Sequence, residues 1–239
     1  TDTELKVSVD TSANPALRVV KVSTTANTDN VVLLKGKLKL DGTSNVWLDA
    51  LPVTFTAATT LGSINAITGS VTLKLGDNTY TEVTGTTNCL TEANFSTAST
   101  CSTEAEETAG ILFNDLDYTI TAGTTVNFTI SADINDLDAT VAEATNFDEG
   151  DSLLASVTTG GRAFIVAENA QGDQLTDATE MTGSATGKAQ VFRSKGINVV
   201  LVSLATPTVS SPVAPATLTT GTYAMTFNVT AFGGDMYVD

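Results

Sequence analysis

Histidine is absent from the 239 residues, and cysteine (two), tryptophan (one), methionine (three) and proline (five) are scarce. Without imidazole there is no Ser-His-Asp or Cys-His nucleophile system, no His-ligated zinc and no general base of the usual kind near neutral pH. Two cysteines do not make a structural zinc site by themselves. No Gly-rich phosphate loop follows a strand, and the βαβ frame that such loops need is missing. A carboxylate pair hydrolysing a glycoside is the remaining catalytic option, but among 27 acidic residues such pairs arise by chance, and one tryptophan does little to build a sugar-stacking cleft. These absences predict a protein that is not an enzyme.

Positive charge is also scarce. Eleven Lys and Arg stand against 27 Asp and Glu, for a net charge of -16, so the surface repels phosphate backbones and anionic lipid heads and nucleic acid is not an expected partner. No run of about 20 apolar residues exists, so no membrane-spanning helix is expected. The opening TDTELKVSV lacks the basic and apolar regions of a signal peptide and reads as an already processed chain. Acidity with little lysine and much Thr and Ser suits an extracellular or high-salt setting.

Cys89 and Cys101 lie in the polar stretch NCLTEANFSTASTC, where a disulfide closing a loop is expected, the alternative being two free thiols. Formed, the bond implies an oxidising compartment. Closing a loop of this size stabilises by about 3 kcal/mol in the chain-entropy model.

What the chain has in abundance is period-two alternation filled by Val, Ile and Thr, which predicts an all-β protein. Strands are expected at Leu5 to Val9, Leu17 to Val22, Val31 to Leu40, Val46 to Thr56, Val71 to Leu75 and Tyr80 to Val83. More follow at Ala109 to Phe113, Tyr118 to Ile120, Thr125 to Ala132, Leu153 to Val157, Ala163 to Ala167, Gly187 to Phe192 and Asn198 to Leu204. Their spacing predicts an immunoglobulin-like β-sandwich. Pro52 places its strand at an edge or at a bulge, since proline cannot donate to a central ladder. Thr97 to Thr108 reads as a protruding loop, and TPTVSSPVAPATLTTG as an extended linker.

The end of the chain echoes its beginning. VVLLKGKLKLDGTSNVWLD (Val31 to Asp49) returns as TYAMTFNVTAFGGDMYVD (Thr222 to Asp239), and LKVSVD upstream of the first copy matches INVVLVSL upstream of the second. Residues 1–196 are therefore expected to form one sandwich module, with disulfide loop and acidic connector, and 197–239 an incomplete β module. Two or three strands are marginal in water. Either the sequence is cut from a longer array or a neighbouring copy supplies the missing strands. In the second case Tyr223, Met225, Phe227 and Val229, alternating along the last strand, would enter a neighbour's core.

Among the motifs, SADINDLDAT packs Asp133, Asn135, Asp136 and Asp138 behind a strand, a hard-oxygen cluster of the kind calcium takes. Ca2+ is the one cofactor expected, the alternative being a solvated acidic turn. Asp115, Asp117, Glu149 and Asp151 are candidates to close the shell. The loop around Glu168, Asn169, Gly172 and Asp173 is a weaker acidic motif. Asn-X-Ser/Thr triplets stand at Asn94, Asn127 and Asn228. Lys35, Lys37 and Lys39 alternate on one strand, as a solvated or edge face does; a lysine isopeptide crosslink would need one of them buried beside a carboxylate.

With LKVSVDTSANPA, VVLLKGKLKLDGTSNVWLDALPVTFTA, FTISADINDLDA, FDEGDSLLASV, TGSATGKAQVFRSKGINVVL and YAMTFNVTAFGGDMYVD, the chain resembles the Thr-rich secreted β-sandwich surface proteins of candidate phyla radiation bacteria. The resemblance implies tandem sandwich modules on a cell surface or in a filament. The expectation is thus an extracellular structural subunit that forms a homopolymer with copies of itself, through pairing of Thr222 to Val238 or Glu4 to Val9 with an open sheet edge. The alternative is an adhesin or carbohydrate-binding module using the Thr97 to Thr108 loop or the sandwich tips.

Overall fold

Branched and aromatic residues at alternate positions become strands almost everywhere they occur. In the computed structural model, which describes residues 3–58, 63–84, 89–91, 94–96, 107–137, 147–176, 178–206, 208–210 and 220–236, the protein is all-β with its sheets packed in a sandwich-like arrangement. The chain divides into two units, Thr1–Arg193 and Ser194–Asp239. Unit 1 carries β1 (Glu4–Val9), β2 (Arg18–Lys21), β3 (Thr28–Asp41), β4 (Val46–Ala58), β5 (Thr68–Leu75), β6 (Asn78–Val83) and β7 (Glu107–Phe113). It continues with β8 (Tyr118–Ile120), β9 (Thr125–Ile134), β10 (Ser152–Val157), β11 (Val166–Asn169), β12 (Met181–Thr186) and β13 (Gln190–Arg193). A one-turn helix, α1 (Ile64–Ile67), and a 3-10 turn at Gly161–Phe164 complete it. Unit 2 holds β14 (Gly196–Leu204), β15 (Thr208–Ser210), β16 (Thr220–Thr222) and β17 (Met225–Phe232).

One layer of unit 1 runs β12-β1-β3-β9-β5-β6. The other is built on the long β4, with β7 and β8 along one edge and β10 and β11 along the opposite one, and β10 leads on through β13 to β2. β12 pairs parallel with β1 and antiparallel with β10, and so carries one layer into the other. Leu5, Val7, Leu38 and Ile130 from the first layer and Leu48, Phe55, Ile111 and Leu153 from the second belong to a single buried cluster. Each such side chain contributes about 1.5–3 kcal/mol on burial.

Pro52 sits where β4 changes neighbours. On the edge shared by β11 and β10, β11 pairs with Val46–Ala50 and β10 with Thr54–Ala58, so among the described residues no strand pairs with 51–53 there. The opposite edge is continuous, with Pro52 facing Leu112 of β7. A residue without an N–H is tolerated at such a gap.

Several expectations differ from the structure. β12 went unread because MTGSAT has no apolar alternation; its Gly183 has φ +76° and a Cβ there would lie 2.0 Å from the Val7 carbonyl oxygen, so backbone contact with β1 replaces side-chain pattern as its signal. Residues 161–164 form the 3-10 turn, and the strand expected from Ala163 begins at Val166. The segment expected to run as an extended linker pairs its two ends, Thr208–Ser210 with Thr220–Thr222.

The lysine stripe is as the alternation required. Leu34, Gly36, Leu38 and Leu40 are buried while Lys35 and Lys37 are half-buried and Lys39 exposed. Lys37 reaches Asp10 at 3.1 Å and Lys39 reaches Asp41 at 2.7 Å. No lysine of the chain is buried, which leaves an isopeptide crosslink without its precondition.

Candidate functional site: the C-terminal hairpin

β14 and β17 form an antiparallel pair in which Ile197 faces Ala231, Val199 faces Val229 and Leu201 faces Phe227. Directly opposed residues share a face, so one side of the hairpin presents Ile197, Val199, Leu201, Phe227 and Val229, while the other presents Asn198, Asn228 and Thr230 with Val200. In unit 1, β1 and β3 pair with Leu5 facing Leu40, Val7 facing Leu38 and Val9 facing Gly36. The sequence echo is therefore also a structural echo: Leu5-Val7-Val9 corresponds to Ile197-Val199-Leu201, and Gly36-Leu38-Leu40 to Phe227-Val229-Ala231.

The two pairs differ in what covers them. β1 is flanked by β12 and β3 by β9, and their inward residues are sealed. Every described residue of β14 and β17 is exposed except Gly196 and Phe232 at its ends, which are half-buried. All four residues expected to enter a neighbour's core are exposed, and Tyr223 lies just ahead of β17. One substitution stands out within the echo. Gly36 opposes Phe128 of β9, whose ring lies 2.2 Å from where a Cβ at Gly36 would be. In unit 2 the corresponding residue is Phe227, so the ring comes from the hairpin itself.

The N-terminal strand is engaged within unit 1. β1 is paired on both edges, with Leu5 and Val7 fully buried, and withdrawing it would open the core of unit 1. The last strand is not single: residues 225–232 are hydrogen-bonded to β14, so it is the pair, not one strand, that is presented.

The acidic segment behind β9 does structural work. The Asp133 carboxylate accepts the Asn30 backbone N–H at 2.8 Å and the Ser70 hydroxyl at 2.9 Å, which ties β3 to β5; Asn30 is in the left-handed region at φ +57°. Thr68 Oγ1 donates to the Asp133 carbonyl at 2.8 Å. The Asn135 amide donates to the Asn65 and Ala66 carbonyls at 3.1 and 2.9 Å, satisfying the end of α1. Asp136 is half-buried, and Asp138 lies outside the described residues. Asp115, named as a further ligand, lies near Glu82 instead; burial first and the Asp115 charge second raise the Glu82 carboxyl above its ordinary value. Asp151 is buried and accepts the Asp148 N–H at 2.9 Å. Among the described residues no three acidic, His or Cys groups converge on one point.

Cys89 is buried and is not a free thiol. Cys101 and residues 97–106 of the expected loop lie outside the described residues. Asn94, Asn127 and Asn228, the heads of the three triplets, are all exposed. No helix among the described residues is long and apolar enough to cross a membrane. Sequence reasoning missed the outward-facing Trp47 on β4, which is 47% exposed beside Asp49, Glu168 and Gln174. The alternation Val46-Trp47-Leu48-Asp49 was the signal that could have found it.

No protein-family model matches this chain, and no match was found among curated proteins.

Proposed function

We propose that this chain is an extracellular structural subunit that polymerises with copies of itself, the β14–β17 hairpin of one copy completing its sheet on an open edge of the next. The observation that carries it is the register match between β14·β17 and β1·β3, combined with the exposure of residues whose counterparts are sealed. Magnitudes favour strand pairing over simple face contact. Covering five half-exposed apolar side chains gains about 1 kcal/mol each. That about 5 kcal/mol does not clear an association cost of about 4–15 kcal/mol with any margin. Edge hydrogen bonds, at about 1 kcal/mol net apiece, supply the remainder.

β6 is the acceptor in this scheme. Its six residues pair with β5 on one edge only among the described residues, and Val83 at its end is exposed. Hairpin to β6 is a heterologous contact, and contacts that do not close on themselves propagate into a filament. The resemblance to Thr-rich surface proteins and the acidic, lysine-poor surface accord with an exterior location. A Cys89–Cys101 disulfide would hold the loop under oxidising conditions; mass spectrometry with and without reductant tests it. A calcium ion at Asp133–Asp138 would stiffen the strand exit, since each Asp133 oxygen keeps a lone pair beyond its one donor. A saturable heat on calcium titration, lost in Asp133→Asn, supports that ion, and absence of heat removes it.

Electron microscopy of the purified chain tests the assembly. Filaments are expected, and deletion of Thr222–Asp239 is expected to leave monomers with an intact unit 1. Filaments that persist without the hairpin strand would overturn the proposal.

A further inference from the structure

Trp47 is the only tryptophan of the chain, and it stands outward on the central strand of a three-strand strip, with Thr119 of β8 directly opposite on one side and Glu168 of β11 on the other. Asp49 follows two residues along on the same face. Trp47, Asp49, Val166, Glu168 and Gln174 line a shallow cleft, and Val166 and Gln174 also line its neighbour, which continues to Phe164 and Thr176. The result is one groove across β11, with an indole at one end, a half-buried phenyl ring at the other, and carboxylates, a carboxamide and a hydroxyl between them.

We propose that this groove binds a neutral oligosaccharide. A half-exposed indole offers its apolar face to the C–H face of a sugar ring. Asp49 and Glu168 accept from sugar hydroxyls, and Gln174 both donates and accepts. The same two carboxylates, on a chain of net charge -16, disfavour uronic or sulfated sugars. A small cation would also be drawn to carboxylates beside an indole, but at an open site with one ring that attraction is weak, and the length of the groove is left unused. The internal echo repeats the essential pair: Trp47-Leu48-Asp49 returns as Tyr237-Val238-Asp239, an aromatic residue with an aspartate two positions on. This site goes beyond the assembly proposed above and does not depend on it.

A single tryptophan makes the test selective, because every change in indole emission comes from this site. The full chain is titrated with cellohexaose, mannohexaose, maltohexaose, chitohexaose, hexagalacturonate and choline chloride. Saturable quenching or a blue shift with at least one neutral hexasaccharide is expected, with none from hexagalacturonate or choline. By calorimetry, Trp47→Ala should weaken binding about tenfold or more and Glu168→Gln several-fold. Neither should alter the circular dichroism spectrum, since both side chains are at least partly exposed. The proposal is overturned if no neutral hexasaccharide responds at millimolar concentration, if hexagalacturonate or choline binds as well, or if Trp47→Ala binds unchanged. It is equally overturned if emission follows protein concentration and ignores sugar, which would make the groove a contact between copies. Filament formation, read separately by microscopy, can fail without touching this result.

Discussion

Val199 and Val229 stand opposite each other in the C-terminal hairpin in the register that Val7 and Leu38 hold at the N-terminus, yet they are 51% and 57% exposed where Val7 and Leu38 are 1% and 0%. The same two-strand device is present twice, once sealed and once open, and the four residues allow paired experiments on the two states.

Val229→Lys sets a charge in the middle of the open face. Large species should vanish from sedimentation velocity profiles and filaments from micrographs. The thermal transition of unit 1 should stay within about 0.5 kcal/mol, as for surface substitutions in general. Undiminished polymerisation would remove this face from the assembly.

Truncation at the two equivalent positions should give opposite results. Leu38→Ala empties a sealed core site and is expected to cost about 2–5 kcal/mol in urea denaturation. Val229→Ala in monomeric samples should cost less than about 0.5 kcal/mol. Similar losses at both positions would mean that the hairpin is covered in solution.

Asp133→Ala removes the acceptor for Asn30 and Ser70 and should destabilise by about 1–3 kcal/mol, because two donors lose their partner at the junction of β3 and β5. Faster hydrogen exchange at the Asn30 amide would localise the effect. Exchange that is unchanged there would show the carboxylate to be dispensable.

Two carboxyls set opposite pH trends. The Ser12 hydroxyl first and Lys37 second hold Asp10 down at about 2, so its stabilisation is complete above the ordinary aspartate value and is lost as pH falls toward 2. Glu82 is raised by burial and by Asp115, so its folded state is favoured while protonated, and that advantage fades as pH rises through its elevated value. Glu82→Gln should therefore raise stability slightly at neutral pH and flatten the profile on the acid side of neutrality, as followed by melting temperature against pH. A steeper profile in the variant would contradict the assignment.

Alternation made most strands legible: β1, β3, β4 and β9 lie where Leu, Val and Phe alternate with Lys, Thr and Asn. β12 stayed hidden because its place is secured by backbone contact at Gly183, which leaves no side-chain period. The open hairpin was visible as an echo, and register turned similarity of letters into equivalence of positions. The acidic run has structural duties that its composition does not announce. Asp133 accepts from backbone and hydroxyl donors of β3 and β5 and Asn135 donates to the carbonyls of α1, and composition alone does not separate those demands from the demand of a cation. Trp47 follows from the alternation Val46-Trp47-Leu48-Asp49 once Val46 and Leu48 are taken as the inward pair, and the packed layers show that they are.

In the proposed assembly, the ring at Phe227, standing where unit 1 has Gly36, would give the hairpin a means of rejection. A strand laid beside β17 with a phenylalanine in the position of Phe128 would set two rings in the space of one, and overpacking of that sort costs about 1–3 kcal/mol. β6 carries a ring only at Tyr80, whose hydroxyl is held by the Leu116 carbonyl. Under the proposed assembly, strands like β9 would be refused beside β17 and slender ones such as β6 admitted.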